Sequence, residues 1–541
     1  MKLTISLFSL VLQKRKEYFD LRMVKMNKGP RKMEHIKDEQ NPSFISVKNS
    51  RLFIQKTSLV AGFVLFVIML SLPAPKGLSP AAWKTAATGV LMAIYWITEA
   101  IPIPATSLIP MVFFPIFNIG SIKESTAPYA NPLIFLFMGG FMIALGMQRW
   151  KLHLRIALSI IRLLGMRPKA LIAGFMISAA FLSMWVSNTA TTLMMLPIGL
   201  SIIELAKSAA AKENAEDFAS FKTALMLSIA FAASIGGLGT LIGTPPNALL
   251  AGFMEENYNF HILFGQWMMV GVPIVVLGLP LAYLTLTRIV FPIRIEKLPG
   301  GKEYIHRELK KLGPITKAEK WVAIVFVVVA LSWMMRPLLV KLLPGISDTG
   351  IVIVGALLMF AIPVDWKNGI FLLTWRDAEK LPWGILILFG GGLTLASAIS
   401  RTGLSVWIGK ELALFSHLPV IVVVAILVTV VILLTELTSN TATTAAFLPV
   451  VASVAVSAGQ NPLLLVIPAT IAASCAFMLP VATPPNAIVF GSGSVTISQM
   501  LRAGIVLDAL FLLLVLALTF SLGLFVFHIH IGLIPAWVSA P

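Results

Sequence analysis

Apolar residues gather along this chain into long runs, at 59–72, 85–97, 267–286, 321–333, 418–434 and 503–527, several lengthened by uncharged flanks. A hydrocarbon layer of about 30 Å takes roughly 20 helical residues to cross. Inside such a layer a helix satisfies its own backbone donors and acceptors where water cannot. The pattern therefore predicts an all-α polytopic membrane protein, with the bilayer as its solvent.

The pattern also repeats. Ser-Asn-Thr-Ala-Thr-Thr begins at Ser187 and again at Ser439, 252 residues later. The same offset carries Gly139-Gly140 onto Gly391-Gly392, Arg149 onto Arg401, Ser183 onto Thr435 and Pro197 onto Pro449. Further on, Thr-Pro-Pro-Asn-Ala recurs at Thr244 and Thr483, an offset of 239. The polar segment 207–222 lengthens the first copy and accounts for the difference. Self-similarity over this distance indicates a duplicated architecture.

Composition agrees with the hydropathy. Of 541 residues, 57% are hydrophobic and only 12% charged, and mean hydropathy is +0.90. The net charge of +18 would suggest nucleic acid in a soluble protein, but here the basic residues sit in tails and short loops. Residues 1–56 hold 13 Lys/Arg against 5 Asp/Glu, and residues 288–320 hold 9 against 4. Both segments are cytoplasmic by the positive-inside rule. No Lys or Arg follows Arg502, which puts the C-terminus outside and makes the number of spans odd. Segment 149–169 carries six Lys/Arg and its counterpart 401–416 two, so the two copies are read as inverted. One extra N-terminal span and two five-span repeats give about eleven.

The expected organisation is a cytoplasmic tail over 1–50, an extra span over 51–75, a first repeat over 76–288 with its hairpin tip at 187–189, and a basic cytoplasmic linker over 289–320. A second repeat over 321–530 with its tip at 439–441 and a tail over 531–541 complete it. The apolar start of the tail is too short for a signal peptide and lacks a convincing cleavage site. Cys475 stands alone in an apolar stretch and reads as a packing residue.

The repeated motifs supply the chemistry. Each Ser-Asn-Thr lies mid-way along an apolar region too long for one span and too short for two, which predicts a re-entrant hairpin with the motif at its tip. Non-helical backbone at that depth is tolerated only when buried or lining a cavity. Ser, Asn and Thr cap helix N-termini, so each returning arm points its positive dipole end at the tip and prepares an anion site. Paired prolines predict broken spans at 235–251 and 479–491. Carbonyls freed at the breaks, with Ser, Thr and Asn oxygens, make a hard-oxygen cage for a small alkali cation. Broken segments at matching positions in two halves point to a transporter's binding site.

None of the four motifs contains a titratable residue. Glu436 beside the second tip and Glu99 in an apolar stretch read as structural hydrogen-bonding groups ahead of proton relays. Without an Arg or Lys clamp, a dianion has to be balanced by helix dipoles and co-bound cations, and sodium is the natural candidate. Glycines 390–392 read as close helix packing.

Ile-Thr-Glu-Ala-Ile-Pro at 97–102, the paired Ser-Asn-Thr motifs, Gly-Thr-Pro-Pro-Asn at 243–247 and Ala-Thr-Pro-Pro-Asn at 482–486 resemble the divalent anion:sodium symporter family over about residues 55–530. The resemblance implies a homodimer in which a fixed scaffold domain carries an elevator-type transport domain. It implies one sodium site at Ser183, Ser187, Asn188 and Gly243, and its symmetry mate at Thr435, Thr438, Asn440 and Ala482. Dicarboxylate would be held by Ser187, Asn188 and Thr189 on one side and Ser439, Asn440 and Thr441 on the other, with Thr244, Pro245, Thr483 and Pro484 nearby.

The function expected is symport of sodium with a C4 dicarboxylate such as succinate, malate or fumarate across the cell membrane, with no organic cofactor and no nucleic acid partner. Citrate or sulfate symport, or dicarboxylate exchange, are the alternatives. An enzyme would need a nucleophile, base or metal cluster at depth, a channel a continuous polar stripe, and a receptor a sizeable soluble domain; none is evident.

Overall fold

The computed structural model describes residues 42–210, 215–295, 300–411 and 418–538. Most of the expected cytoplasmic tail, four residues of the linker and the last three of the C-terminal tail lie outside these residues.

Among the described residues seven helices are long and apolar enough to cross a membrane: Ile122–Arg149, Asn188–Lys207, Ala215–Gly237, Phe264–Ile289, Trp383–Arg401, Asn440–Ser457 and Ile497–Val526. Lys317–Met334 and Arg336–Leu342, bent by 85° at their junction, make an eighth if taken as one span. The expected count of about eleven is not reached: six further apolar helices, Gln55–Ser71 in the expected N-terminal span, Ile103–Ile116, Pro168–Ser183, Asp348–Ala361, Val420–Thr435 and Leu463–Ala473, are shorter than the roughly 20 residues a crossing takes. The chain is an integral membrane protein. A two-stranded antiparallel ribbon, Pro363–Asp365 with Ile370–Phe371, is the one sheet among the described residues.

Helix starts follow the local sequence. Proline opens the helices Pro132–Arg149, Pro168–Ser183, Pro245–Tyr258 and Pro484–Gly491, where its missing N–H costs nothing. Capping boxes start Lys317–Met334 through Thr316 and Glu319, and Ile497–Leu518 through Thr496 and Gln499.

Seven helices recur in the same order in each half. Pro132–Arg149, Leu152–Leu164, Pro168–Ser183, Asn188–Ala210, Ala215–Gly237, Pro245–Tyr258 and Phe264–Leu284 are followed by Trp383–Arg401, Leu404–Glu411, Val420–Thr435, Asn440–Ser457, Leu463–Ala473, Pro484–Gly491 and Ile497–Leu518. The last helix of each set runs into a π-helical turn, at Thr285–Ile289 and Thr519–Gly523.

The two halves share one core. Phe231 of the first half packs on Phe477 of the second at 5.2 Å between ring centroids, and Phe477 on Phe511 at 5.2 Å. Such tilted and edge contacts suit the ring quadrupoles. Gly236 presses against the backbone of Ala180, where a methyl group would collide with the Ala180 carbonyl. A bare glycine is what lets the helix Ala215–Gly237 touch Pro168–Ser183 this closely.

Candidate functional site

In the first half the helix Pro168–Ser183 stops, residues 184–187 turn, and Asn188–Ala210 begins. The Ser187 hydroxyl accepts the amide N–H of Ala190 at 3.3 Å, satisfying a donor that the new helix cannot. Thr192 donates to the Asn188 carbonyl at 2.9 Å. Exactly one offset later, Val420–Thr435 stops, Ser439 stands before Asn440–Ser457, and Thr444 donates to the Asn440 carbonyl at 2.8 Å. Behind the tips, Ser183 lies 2.5 Å from the Asn188 amide and Thr435 donates to Asn440 Oδ1 at 2.8 Å.

The broken spans lie against these tips. In the first half, helix gives way over 238–244 between Ala215–Gly237 and Pro245–Tyr258. Asn247 closes this gap: its amide nitrogen donates to the carbonyls of Gly237 at 3.2 Å, Leu238 at 3.4 Å and Thr240 at 2.8 Å. Asn486 does the same in the second half, donating to Ala476 and Leu479 at 3.1 Å each. These asparagines thus repay the freed carbonyls with N–H groups, where the sequence suggested oxygens for a cage. The second break opens at Ser474, ahead of the prolines, because other groups satisfy its backbone. Besides Asn486, the Glu436 carboxylate accepts the amides of Met478 and Leu479 at 2.8 Å each.

Tips and breaks together enclose a cavity of about 700 Å³, within the range of small-molecule sites. All ten residues assigned to the substrate line it: Ser187, Asn188, Thr189, Thr244, Pro245, Ser439, Asn440, Thr441, Thr483 and Pro484. Of the eight sodium candidates, Gly243, Thr438 and Ala482 also reach the wall, as do Ser187, Asn188 and Asn440. Ser183 and Thr435 are fully buried and act from behind, through the two asparagines. The Thr438 hydroxyl donates to the Leu434 carbonyl at 2.9 Å and lies 2.5 Å from the Thr443 hydroxyl.

The remaining wall escaped the sequence reading as a site. Trp96, Ile97, Thr98, Glu99, Ile103, Phe141 and Ile385 line the same cavity. The only signal was the Ile-Thr-Glu-Ala-Ile-Pro segment. Its Glu99 is the left-handed cap that ends the helix Pro80–Thr98, and its carbonyl accepts the Gln55 amide at 3.0 Å.

Four helix N-termini therefore converge on one cavity, at Asn188, Asn440, Pro245 and Pro484. Each carries roughly half a positive charge. No Lys, Arg or His lines the cavity among the described residues. Around Asn188, the Ala233 carbonyl, the Gly243 carbonyl and the Ser183 hydroxyl lie 3.2, 3.3 and 2.5 Å from one end of its side-chain amide. With that end as nitrogen, Asn188 donates to them; with it as oxygen, four oxygens converge on one point. This donor set fits a sodium ion, which takes oxygen ligands, and the amide can turn its oxygen inward when the ion is present.

Residues 54–529 match the family described as sodium:sulfate symporter transmembrane region. The sodium-dependent dicarboxylate transporter SdcS of Staphylococcus saprophyticus is 42% identical over 473 residues, covering 86% of this chain and 91% of that protein. Its namesake in Staphylococcus aureus strain USA300 is 43% identical over 455 residues, covering 83% and 88%. Among solved structures, the Neisseria gonorrhoeae efflux pump MtrF shares the fold at a TM-score of 0.55 and 13% identity, covering 88% of this chain and 96% of that one. The Alcanivorax borkumensis YdaH transporter does so at 0.50 and 14%, covering 75% and 88%. A match over nearly the whole membrane region, with relatives above 40% identity along most of their length, places the chain in the sodium:sulfate symporter family, the divalent anion:sodium symporters.

Proposed function

We propose that this protein carries C4 dicarboxylates such as succinate, malate and fumarate into the cell together with sodium ions. The observation that carries this reading is the meeting of four helix N-termini and two clusters of neutral oxygens in one cavity that holds no cationic side chain. A dianion there is balanced by dipoles and by sodium, and the ions in turn need the anion. The two bind as a set, which is the physical basis of coupling. A cavity of about 700 Å³ accommodates a four-carbon diacid, and the names of the SdcS relatives agree. The family description names sulfate, so sulfate and citrate are the competing anions and exchange the competing mode.

In this reading Ser187, Asn188, Thr189, Ser439, Asn440 and Thr441 hold the substrate, with Thr244, Pro245, Thr483 and Pro484 beside it. One sodium ion lies among Ser183, Ser187, Asn188 and Gly243, the other among Thr435, Thr438, Asn440 and Ala482. The chain forms eleven spans with two re-entrant hairpins, arranged as inverted repeats and assembled as a homodimer whose transport domain moves as an elevator. Hydrogen bonds that coincide after a shift of 239 or 252 residues support the repeat, and the excess of basic residues at 149–169 supports its inversion. The N-terminus is cytoplasmic and the C-terminus outside.

The test is uptake of labelled succinate into proteoliposomes under sodium, lithium, potassium or proton gradients imposed separately. Uptake should follow the sodium gradient and survive collapse of the pH gradient. Equal uptake with potassium replacing sodium on both sides overturns the reading. An excess of unlabelled sulfate or citrate that blocks succinate uptake better than unlabelled succinate does would move the substrate to that anion.

A further inference from the structure

After the crossing helix Ile122–Arg149 the chain runs along a 13-residue amphipathic helix, Leu152–Leu164, before it enters the first hairpin at Pro168. Leu152, His153, Ala157, Leu158 and Ile161 bury one face of this helix in the protein. Its end is bare. Leu163 is 85% exposed, more than any other large apolar side chain among the described residues, and Leu164 beside it is 39% exposed. Neither belongs to a crossing helix, where contact with lipid tails would account for the exposure.

Positive charge flanks the two leucines. Segment 149–169 holds six Lys/Arg, and no Asp or Glu occurs between Glu124 and Glu204. Arg149 and Arg155 are engaged, by Asp377 at 2.6 Å and Glu319 at 2.8 Å. Arg162, Arg167 and Lys169 are exposed and have no acidic partner among the described residues. The duplication indicates that the fold does not call for them. At the offset of 252, which carries Pro168–Ser183 onto Val420–Thr435 residue for residue, they fall on Leu414, Pro419 and Ile421. The same elbow is thus built once with three cations and once with none. A bare leucine pair with cations before and after it has the chemistry of an interfacial anchor: the apolar groups leave water among lipid chains while the cations stay at the depth of the phosphates. An anionic headgroup offers those cations a net charge that a zwitterionic one cancels.

We propose that residues 162–169 form a docking surface for anionic phospholipid, with Leu163 and Leu164 seated among acyl chains and Arg162, Arg167 and Lys169 on the headgroup. In the topology argued above this elbow lies at the cytoplasmic leaflet, where anionic lipid draws basic segments. The hairpin that carries Ser187 and Asn188 follows directly, so the lipid anchors the segment leading to the site. The inference depends on neither the substrate nor the coupling ion.

The experiment attaches an environment-sensitive fluorophore to full-length Leu163→Cys protein, in a Cys475→Ala background, and reconstitutes it in phosphatidylcholine vesicles. Phosphatidylglycerol or phosphatidylcholine carrying a nitroxide on its acyl chain is then titrated in as quencher. Phosphatidylglycerol should half-quench at a roughly ten-fold lower mole fraction, since each cation near the surface adds its own enrichment. Raising the salt from about 0.1 M to about 0.5 M shortens the screening length and should cut that preference at least about two-fold. With Arg162→Gln, Arg167→Gln and Lys169→Gln combined, the two lipids should quench within about two-fold of each other. Equal quenching by both lipids before any charge is removed overturns the proposal and leaves the cations only to orient the chain. A preference that salt does not touch, or that the triple variant retains, overturns it as well. The salt arm alters no charge on the protein, so the test stands even if the triple variant does not insert. Millimolar inorganic phosphate that abolishes the preference at constant ionic strength would assign the patch to a soluble anion and overturn the lipid assignment.

Discussion

The Arg149 guanidinium meets the Asp377 carboxylate at 2.6 Å, joining the two halves of the chain. The converse pair exists as well, with Arg401 3.4 Å from Glu124. Each arginine ends a long helix, and each acid completes the capping box of a short helix in the opposite half, Asp377 with Thr374 and Glu124 with Ser121. The long helices are thereby tied down where the amphipathic helices Leu152–Leu164 and Leu404–Glu411 branch from them.

The first of these pairs sets a pH dependence. Partial burial pushes the Asp377 carboxyl up, but the Thr374 hydroxyl and amide, with the Arg149 and Lys380 charges, outweigh it and hold the group below its usual range. A lowered carboxyl contributes stability that is complete above its unfolded value, about 3.9, and is lost as pH falls through the lower folded value. A thermal-melt cycle of Arg149→Ala, Asp377→Ala and the double variant should give a coupling of no more than about 1 kcal/mol, since both groups are partly solvated. The coupling should be constant from pH 7 to pH 5 and shrink only below about pH 4.

Asn247 and Asn486 offer a test of how the broken spans are held. Replacing either by Ala leaves buried carbonyls without donors, at a cost of about 1 to 3 kcal/mol. Asn247→Ala and Asn486→Ala should lower the melting temperature by similar amounts, because each amide has two N–H groups and uses them on carbonyls of its own break. Equal melting temperatures for wild type and both variants would mean that water substitutes for the amide.

The tips were legible because their chemistry is local: Ser187 caps the helix it precedes, Ser439 precedes its helix without a side-chain cap bond, and the duplication exposes both. The breaks were legible in part, since paired prolines forbid a continuous helix. The early opening at Ser474 was not, because Glu436, which satisfies Met478 and Leu479, lies 42 and 43 residues away. Likewise Arg149 and Asp377 are 228 residues apart, and nothing in a charged loop announces its partner. The rest of the cavity lining, Trp96 and Phe141 among it, could not be told from ordinary packing until the fold brought it to the same cavity.

Topology can be checked at two exposed positions. Arg307, on the helix Gly301–Lys311, should face the cytoplasm, and His530, near the C-terminus, the outside. Cys475 is fully buried, and its replacement by Ala clears the background. Cysteines placed singly at 307 and 530 in intact cells should then differ: an impermeant thiol reagent labels position 530 at once and position 307 only after the membrane is opened. Labelling of both from outside would overturn the cytoplasmic placement of segment 288–320.

Asn188 and Asn440 occupy equivalent places at the two tips, each in contact with a buried hydroxyl behind it and the cavity in front. In the proposed mechanism each touches a sodium ion and the substrate at once, so Ala removes a cation-facing oxygen and an anion-facing amide together. A buried hydrogen bond to a charged group is worth about 1.5 to 3 kcal/mol, roughly a ten- to hundredfold change in affinity. Sodium and succinate affinities should therefore fall together in Asn188→Ala and in Asn440→Ala, measured by binding to purified protein. Asn214, outside the described residues in the polar segment of the first half, is the control, and Asn214→Ala should leave both affinities near wild type. The hairpin arms keep their apolar residues in every variant, so folding should survive. Well-folded Asn440→Ala protein that binds sodium and succinate normally would reduce the tips to helix caps and move the site elsewhere in the cavity.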